Sequence, residues 1–101
     1  MTDTRLRQLL DRVSDETTFL EFAAELVRDR ELDVENERVT PSPPSGASAR
    51  GWENGTIEAF LDAAVRWASS SGFGQTLPDH RHNPNPWNQF AWFLYAGKAY
   101  E

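Results

Sequence analysis

The C-terminal stretch from Trp87 to Glu101 reads WNQFAWFLYAGKAYE, and it holds much of the aromatic content of this 101-residue sequence. It follows Asn85 and Pro86, a typical helix start because proline is tolerated at the first helical position. Chain ends stay loose unless they dock on the rest of the protein, and this much aromatic surface in water favours aggregation. We therefore expect a buried final helix against which the other helices pack. Its predicted core residues are Trp87, Phe90 and Leu94.

Three further segments carry the 3.6-residue apolar repeat of amphipathic helices. The first covers residues 4–13, the second begins at a Ser14 cap and runs to about residue 33, and the third follows Trp52 and ends at Gly72. The apolar positions expected to face the core are Leu6, Leu9, Leu10 and Val13; Phe19, Phe22, Ala23, Leu26 and Val27; and Ile57, Phe60, Leu61, Ala64, Val65 and Ala68. No segment shows a strand-like period of two, so the sequence predicts an all-α fold: a small bundle of three main helices plus a short N-terminal helix.

The chain length predicts one helical domain over residues 1–101. Two long irregular loops interrupt the helices. Residues 35–51 are rich in proline and serine, with Val39 as the one large apolar residue, which predicts a mobile loop. Residues 72–85 contain two glycines and two prolines and predict a second loop.

The net charge of −6 is concentrated in one segment. Residues 15–37 hold nine acidic residues and two arginines, a net −7, whereas the rest of the chain is close to neutral. A nucleic-acid-binding protein would show a basic patch instead. An acidic helix face that binds a basic protein is one hypothesis, and a solvated face without a partner is the other. The residues of the hypothetical binding face are Glu21, Glu25, Asp29, Glu31 and Asp33.

Cysteine is absent from the sequence, which excludes disulfides and cysteine-ligated zinc. The N-terminal residues lack the apolar core of a secretory signal, and no apolar run approaches the roughly 20 residues that span a bilayer. We therefore expect a cytoplasmic protein with no membrane association. Both a monomer and a homodimer are compatible with the sequence.

Two groups of residues are candidates for ligand binding. Asp79, His80 and His82 could ligate a divalent metal, although an exposed polar loop is the simpler explanation and no fourth ligand is evident. Trp52 and Trp87 each stand at a helix entrance and could meet in an apolar pocket, although core packing also explains them. The sequence shows no nucleotide-binding or catalytic motif, so we expect neither an enzyme nor a cofactor.

Three elements occur together in this sequence: Ser14-Asp15-Glu16-Thr17 opens the second helix, Trp52-Glu53-Asn54 follows a loop, and Asn85-Pro86-Trp87 begins the last segment. In these elements the chain resembles a family of small bacterial proteins of unknown function. Trp52-Glu53-Asn54 precedes the middle helix, as a Trp-x-Asn element does in that family. The chain ends in Asn85-Pro86-Trp87 and, later, Lys98-Ala99-Tyr100-Glu101, similar to the family's Pro-x-Trp…Ala-x-x-Tyr-Glu signature. The resemblance covers about residues 13–34 and 52–101, with residues 35–51 as an apparent insertion. It implies a shared small fold in a bacterial cytoplasm and no particular site residues.

The leading hypothesis is a non-enzymatic protein-interaction module, of which an immunity or inhibitor protein is one version. The alternative is a small-molecule or metal-binding domain that uses the 72–85 loop.

Overall fold

The computed structural model describes residues 4–41, 50–76 and 84–100. They form four helices: α1 (Thr4–Arg12), α2 (Glu16–Val39), α3 (Ile57–Ser71) and α4 (Pro86–Ala99). This part of the chain contains no strand, so the all-α prediction is confirmed. None of its helices is long and apolar enough to cross a membrane. Much of the two predicted loops, including residues 42–49 and the candidate metal ligands Asp79, His80 and His82, lies outside the described residues.

Helix α4 is the hub of the bundle, as predicted. It packs against α1, α2 and α3, whereas α2 and α3 have no Cα atoms within 8 Å of each other. Asn85 caps its N-terminus, with its side chain accepting hydrogen bonds from Trp87 N at 2.9 Å and Asn88 N at 3.3 Å, and Pro86 occupies the first turn. The local sequence signals, Asn85 and Pro86, therefore predicted the start of α4 correctly.

The buried face of α4 differs from the predicted one. Trp87 and Phe90 are 38% and 54% exposed, so the prediction that they are core residues is wrong, and Leu94 is only partly buried. The residues of α4 that are buried are small or polar, and α3 approaches α4 closely at Gly97. A Cβ on Gly97 would lie 2.8 Å from the carbonyl oxygen of Phe60. The buried residues of α4 are Asn88, Ala91, Ala96, Gly97 and Lys98.

The same close approach changes the buried face of α3. Ile57, Leu61 and Val65 are 78%, 47% and 52% exposed, so the predicted apolar stripe is wrong for these three. The helix turns its small residues and one tryptophan towards α4 instead. Its buried residues are Ala63, Ala64, Trp67, Ala68 and Ser71.

Helices α1 and α2 build the main core. All four predicted core residues of the first segment are buried, and Phe22 and Leu26 of α2 join them in one cluster with Trp52 and Ala91. Val27, however, is 59% exposed, contrary to the prediction. At the end of α1, the buried side chain of Asn88 donates hydrogen bonds to the carbonyl oxygens of Leu10 and Val13 at 3.0 and 3.1 Å.

Two boundaries of α2 differ from the prediction. Asp15 rather than Ser14 is the N-cap, in a capping box with Thr18, whose amide donates to Asp15 Oδ1 at 2.8 Å. The helix also continues to Val39 rather than ending near residue 33, so residues 35–39 are not part of a loop. An ion pair between Arg38 and Glu35, at 2.6 Å and one turn apart, supports this exposed last segment.

Candidate functional site

Asp29 is the centre of a buried ionic cluster. It is 1% exposed, and its Oδ1 lies 2.8 Å from Arg50 Nε. Its Oδ2 lies 2.9 Å from Lys98 Nζ and accepts a hydrogen bond from Trp52 Nε1 at 2.8 Å. Three donors, two from the segment before α3 and one from the end of α4, therefore meet at one carboxylate of α2. Burial would raise the pKa of Asp29, but the hydrogen bonds from Lys98, Arg50 and Trp52 and the charge of Lys98 together hold its pKa below the ordinary value.

Asp33, one turn further along α2, extends this cluster. It is fully buried, and its Oδ1 accepts a hydrogen bond from the backbone amide of Arg50 at 3.1 Å. Its Oδ2 lies 3.1 Å from Arg30, whose guanidinium also donates to the carbonyl oxygen of Gly55 at 3.1 Å. The two aspartates therefore fix the chain from Arg50 to Gly55 against α2.

The segment from Trp52 to Asn54 joins the cluster to the end of α4. The backbone amides of Glu53 and Asn54 donate to the carbonyl oxygen of Lys98 at 3.0 and 3.3 Å. The Asn54 side chain donates to the carbonyl oxygens of Gly97 and Tyr100, both at 3.0 Å. These bonds satisfy carbonyl groups that a helix end leaves unpaired. The Trp-x-Asn element seen in the sequence thus serves as a C-terminal cap supplied from another segment.

This arrangement corrects the predicted acidic face. Asp29 was expected to face outward and Asp33 to share an exposed surface with it, but both are buried in the cluster. Glu21 and Glu31 are exposed and Glu25 is partly buried. A sequence signal for the burial did exist, because Asp29 and Asp33 continue the spacing of Phe22 and Leu26 along one face of the helix.

Trp52 and Trp87 do not form a common pocket. Trp52 lies by the C-terminal end of α4 and stacks on Phe60, with ring centroids 5.9 Å apart. Trp87 begins α4 and lies 5.6 Å from the ring of Phe19. Eleven helical residues separate Trp87 from Lys98, a rise of about 16 Å at about 1.5 Å per residue, so the two tryptophans lie at opposite ends of the helix.

Trp52 instead forms part of an apolar groove between α2 and α3, which we call the α2–α3 groove. Its volume is about 470 Å³. Leu26, Val27, Arg30 and Glu31 of α2 form one wall, Ile57, Phe60 and Leu61 of α3 form the other, and Trp52, Asn54, Gly55 and Thr56 complete the lining. The Arg30 guanidinium lies 5.3 Å from the centre of the Trp52 ring. Arg30 and Trp52 line the groove and also bond to the aspartates of the ionic cluster. The cluster therefore fixes the position of these lining residues.

A second hollow, of about 430 Å³, adjoins this groove and shares Val27 and Glu31 with it. Its lining includes Glu21 and Glu25, which belong to the predicted binding face, and Arg5, whose Nε lies 3.8 Å from Glu25. The three surface glutamates of the sequence prediction therefore stand beside an apolar groove, which the sequence did not indicate.

The described residues contain no group of three or more histidine, aspartate or glutamate side chains arranged to hold a metal ion. They also leave no buried side-chain nitrogen or oxygen without a hydrogen-bond partner. Asp29 in particular has three donors and a lowered pKa, so it lacks the properties of a general base near neutral pH.

A model of one protein family matches residues 15–101, from the N-cap of α2 through α4. The chain belongs to DUF7660, a family of unknown function. The DUF7660 match includes the ionic cluster and the α2–α3 groove, whereas α1 precedes it. No curated protein and no solved structure matches this DUF7660 chain.

The pH dependence of stability should carry the signature of Asp29. Its pKa is below the ordinary aspartate value in the folded state and close to about 3.9 when unfolded, so the folded state binds fewer protons between the two values. The stabilisation is therefore complete above about pH 4 and is lost as the pH falls through the folded-state pKa. A carboxyl NMR titration should show Asp29 titrating below 3.9, and urea unfolding should show falling stability over the same range. An ordinary titration of Asp29 would contradict this prediction.

Proposed function

We propose that this protein is a non-enzymatic interaction module that binds a partner protein through the α2–α3 groove. The observation that carries the proposal is the exposure of Val27, Ile57 and Leu61, at 59%, 78% and 47%, around one apolar concavity. Such contiguous apolar surface marks interaction sites more often than isolated exposed residues do. The saturated ionic cluster supports a structural role for the buried charges, because each of its carboxylates is already engaged.

The proposal includes a cytoplasmic location and a bacterial source. The absence of cysteine is compatible with a reducing compartment. An immunity or inhibitor protein is the specific version we favour, since a small acidic protein with an apolar groove suits the blocking of a basic partner.

Affinity capture from a lysate of the source organism tests the groove. The variant Ile57→Asp/Leu61→Asp places two charges in the groove, and Val34→Asp/Val39→Asp is the matched control because both valines are exposed on α2 and lie outside the groove lining. Circular dichroism first establishes that both variants fold. We expect the wild-type protein and the control variant to capture the same partner. The groove variant should capture at least about tenfold less of it. Equal capture by all three chains would contradict the proposal.

A small-molecule site is the second candidate, favoured by the groove volume of about 470 Å³, which lies within the usual range of ligand pockets. A ligand of this kind would raise the melting temperature of the original chain but not that of the groove variant. The metal version, in the 72–85 loop, is tested by melting with zinc, nickel or manganese. A shift that disappears in His80→Ala/His82→Ala would support it.

A further inference from the structure

The walls of the α2–α3 groove are both helices. Helical walls have no sheet edge to which an extended peptide could add a strand. Both helices pack on α4, and no Cα atom of one lies within 8 Å of a Cα atom of the other, so the two helices diverge and leave an open space between them. A third helix resting in such a space packs its apolar face on both walls, which is the usual helix-in-groove mode of recognition.

The length of the groove sets the number of apolar anchors. On α2 it extends from Leu26 to Glu31, and on α3 from Ile57 to Leu61, which correspond to rises of about 6–8 Å at about 1.5 Å per residue. One helical turn rises about 5.4 Å. The groove therefore accommodates two apolar side chains that are three or four residues apart on the bound helix.

The charges beside the groove are mainly negative. Of the acidic residues of α2, Asp29 and Asp33 are buried and paired with cations, whereas Glu31 is exposed. Glu31 lines the groove itself, and Glu58 is exposed next to Ile57 in the sequence of α3. Asp62 is also exposed but is paired with Arg66 at 3.0 Å. Arg30, the arginine of the lining, is already paired with buried Asp33. Both walls therefore favour a positively charged ligand.

We infer that the occupant of the α2–α3 groove is a basic amphipathic helix of a partner protein. Two apolar side chains, three or four residues apart, enter the groove over Trp52 and Phe60. Lysine or arginine side chains beside them face Glu31 on α2 and Glu58 on α3. This inference rests on the proposed function and adds the chemical class of the partner.

A displayed library of helical peptides tests the inference without knowledge of the natural partner. The library varies two positions one turn apart among leucine, alanine and serine, and varies the flanking positions among lysine, glutamate and glutamine. Selection uses the full chain, with counterselection on the folded Ile57→Asp/Leu61→Asp variant. We expect enrichment of peptides that carry two leucines and a net positive charge. Their glutamate counterparts should bind at least about tenfold more weakly.

The charge contribution is measured on the selected peptides. Glu31→Lys/Glu58→Lys should weaken binding about tenfold and reduce its dependence on salt, because exposed charges act mainly through screened attraction. Glu35→Lys is the matched control, since Glu35 is an exposed acid on α2 outside the groove lining, and it should change affinity less than about twofold. Selection of neutral or acidic peptides, or failure to select any, would overturn the inference.

The failure of this inference is distinguishable from failure of the proposed function. If lysate capture still depends on Ile57 and Leu61 while selected peptides are not basic, the interaction module stands and the partner class is wrong. If the original chain is a dimer that Ile57→Asp/Leu61→Asp dissociates in size-exclusion chromatography with light scattering, the occupant is a second copy and the inference is also wrong.

Discussion

Replacement of Asp29 by alanine should destabilise the protein by about 3–5 kcal/mol, because it leaves buried cations without their partner. Lys98 Nζ and Arg50 Nε lie 2.9 and 2.8 Å from the Asp29 carboxylate, and the Lys98 side chain is only 4% exposed. A loss of this size is a large part of the total stability of a small domain, which is about 5–15 kcal/mol. Urea unfolding followed by circular dichroism measures it, and complete loss of folding agrees with the prediction.

The matched control is Glu35→Ala on the same helix. Glu35 also forms an ion pair, with Arg38 at 2.6 Å, but both side chains are exposed, so its removal should leave the unfolding midpoint almost unchanged. In the Asp29→Ala background, Lys98→Met removes one of the two cations that face Asp29 and should recover part of the lost stability. A loss in Asp29→Ala no larger than that in Glu35→Ala would show that the cluster does not hold the fold together.

The parts of the fold that sequence predicts well depend on local signals. The three buried residues of α1 and the following Val13 continue one helical stripe, and the start of α4 depends on the adjacent Asn85 and Pro86. Both patterns act within a few residues, so no knowledge of the partner helix is needed.

The features that the sequence did not predict depend on which helices pack against each other. Ile57 and Leu61 have the spacing of a core stripe, but α4 is the helix that α3 approaches closely, through Gly97 and its own alanines. The apolar residues on the side facing α2 therefore remain exposed around the groove. Whether a periodic apolar face is a core or a binding surface is decided by tertiary packing.

The burial of Asp29 is also decided by tertiary packing. An aspartate on a helix is usually exposed unless it is paired, and its partners Arg50, Trp52 and Lys98 are 21, 23 and 69 residues away in the sequence. Only the tertiary fold brings them together. The spacing of Asp29 and Asp33 after Phe22 and Leu26 indicated the buried side of α2, but it did not identify the partners.

The exposed apolar residues of α3 and the buried ionic cluster both contribute to the α2–α3 groove. The cluster fixes the segment from Arg50 to Gly55, and that segment supplies Trp52 to the lining. A groove whose lining is held by buried hydrogen bonds needs little rearrangement when a ligand binds, so less of the binding free energy is used to order it.

Replacement of Trp52 by alanine should therefore destabilise the fold and deform the groove together. The side chain is 8% exposed, and its removal should cost about 3–5 kcal/mol through the cavity it leaves. Trp52→Phe keeps an aromatic ring next to Phe60 but removes the Nε1–H donor to Asp29, and should cost about 1–3 kcal/mol. Urea unfolding of each variant gives these values.

Trp87→Ala is the control that separates the two tryptophans. Trp87 is 38% exposed and lies at the other end of α4, so its loss should destabilise the protein clearly less than the loss of Trp52. Peptides selected on the original chain should bind Trp87→Ala with unchanged affinity and bind Trp52→Phe more weakly, because only Trp52 lines the groove. Equal effects of the two tryptophans on stability and on peptide affinity would contradict the assignment of Trp52 as the residue that joins the ionic cluster to the binding surface.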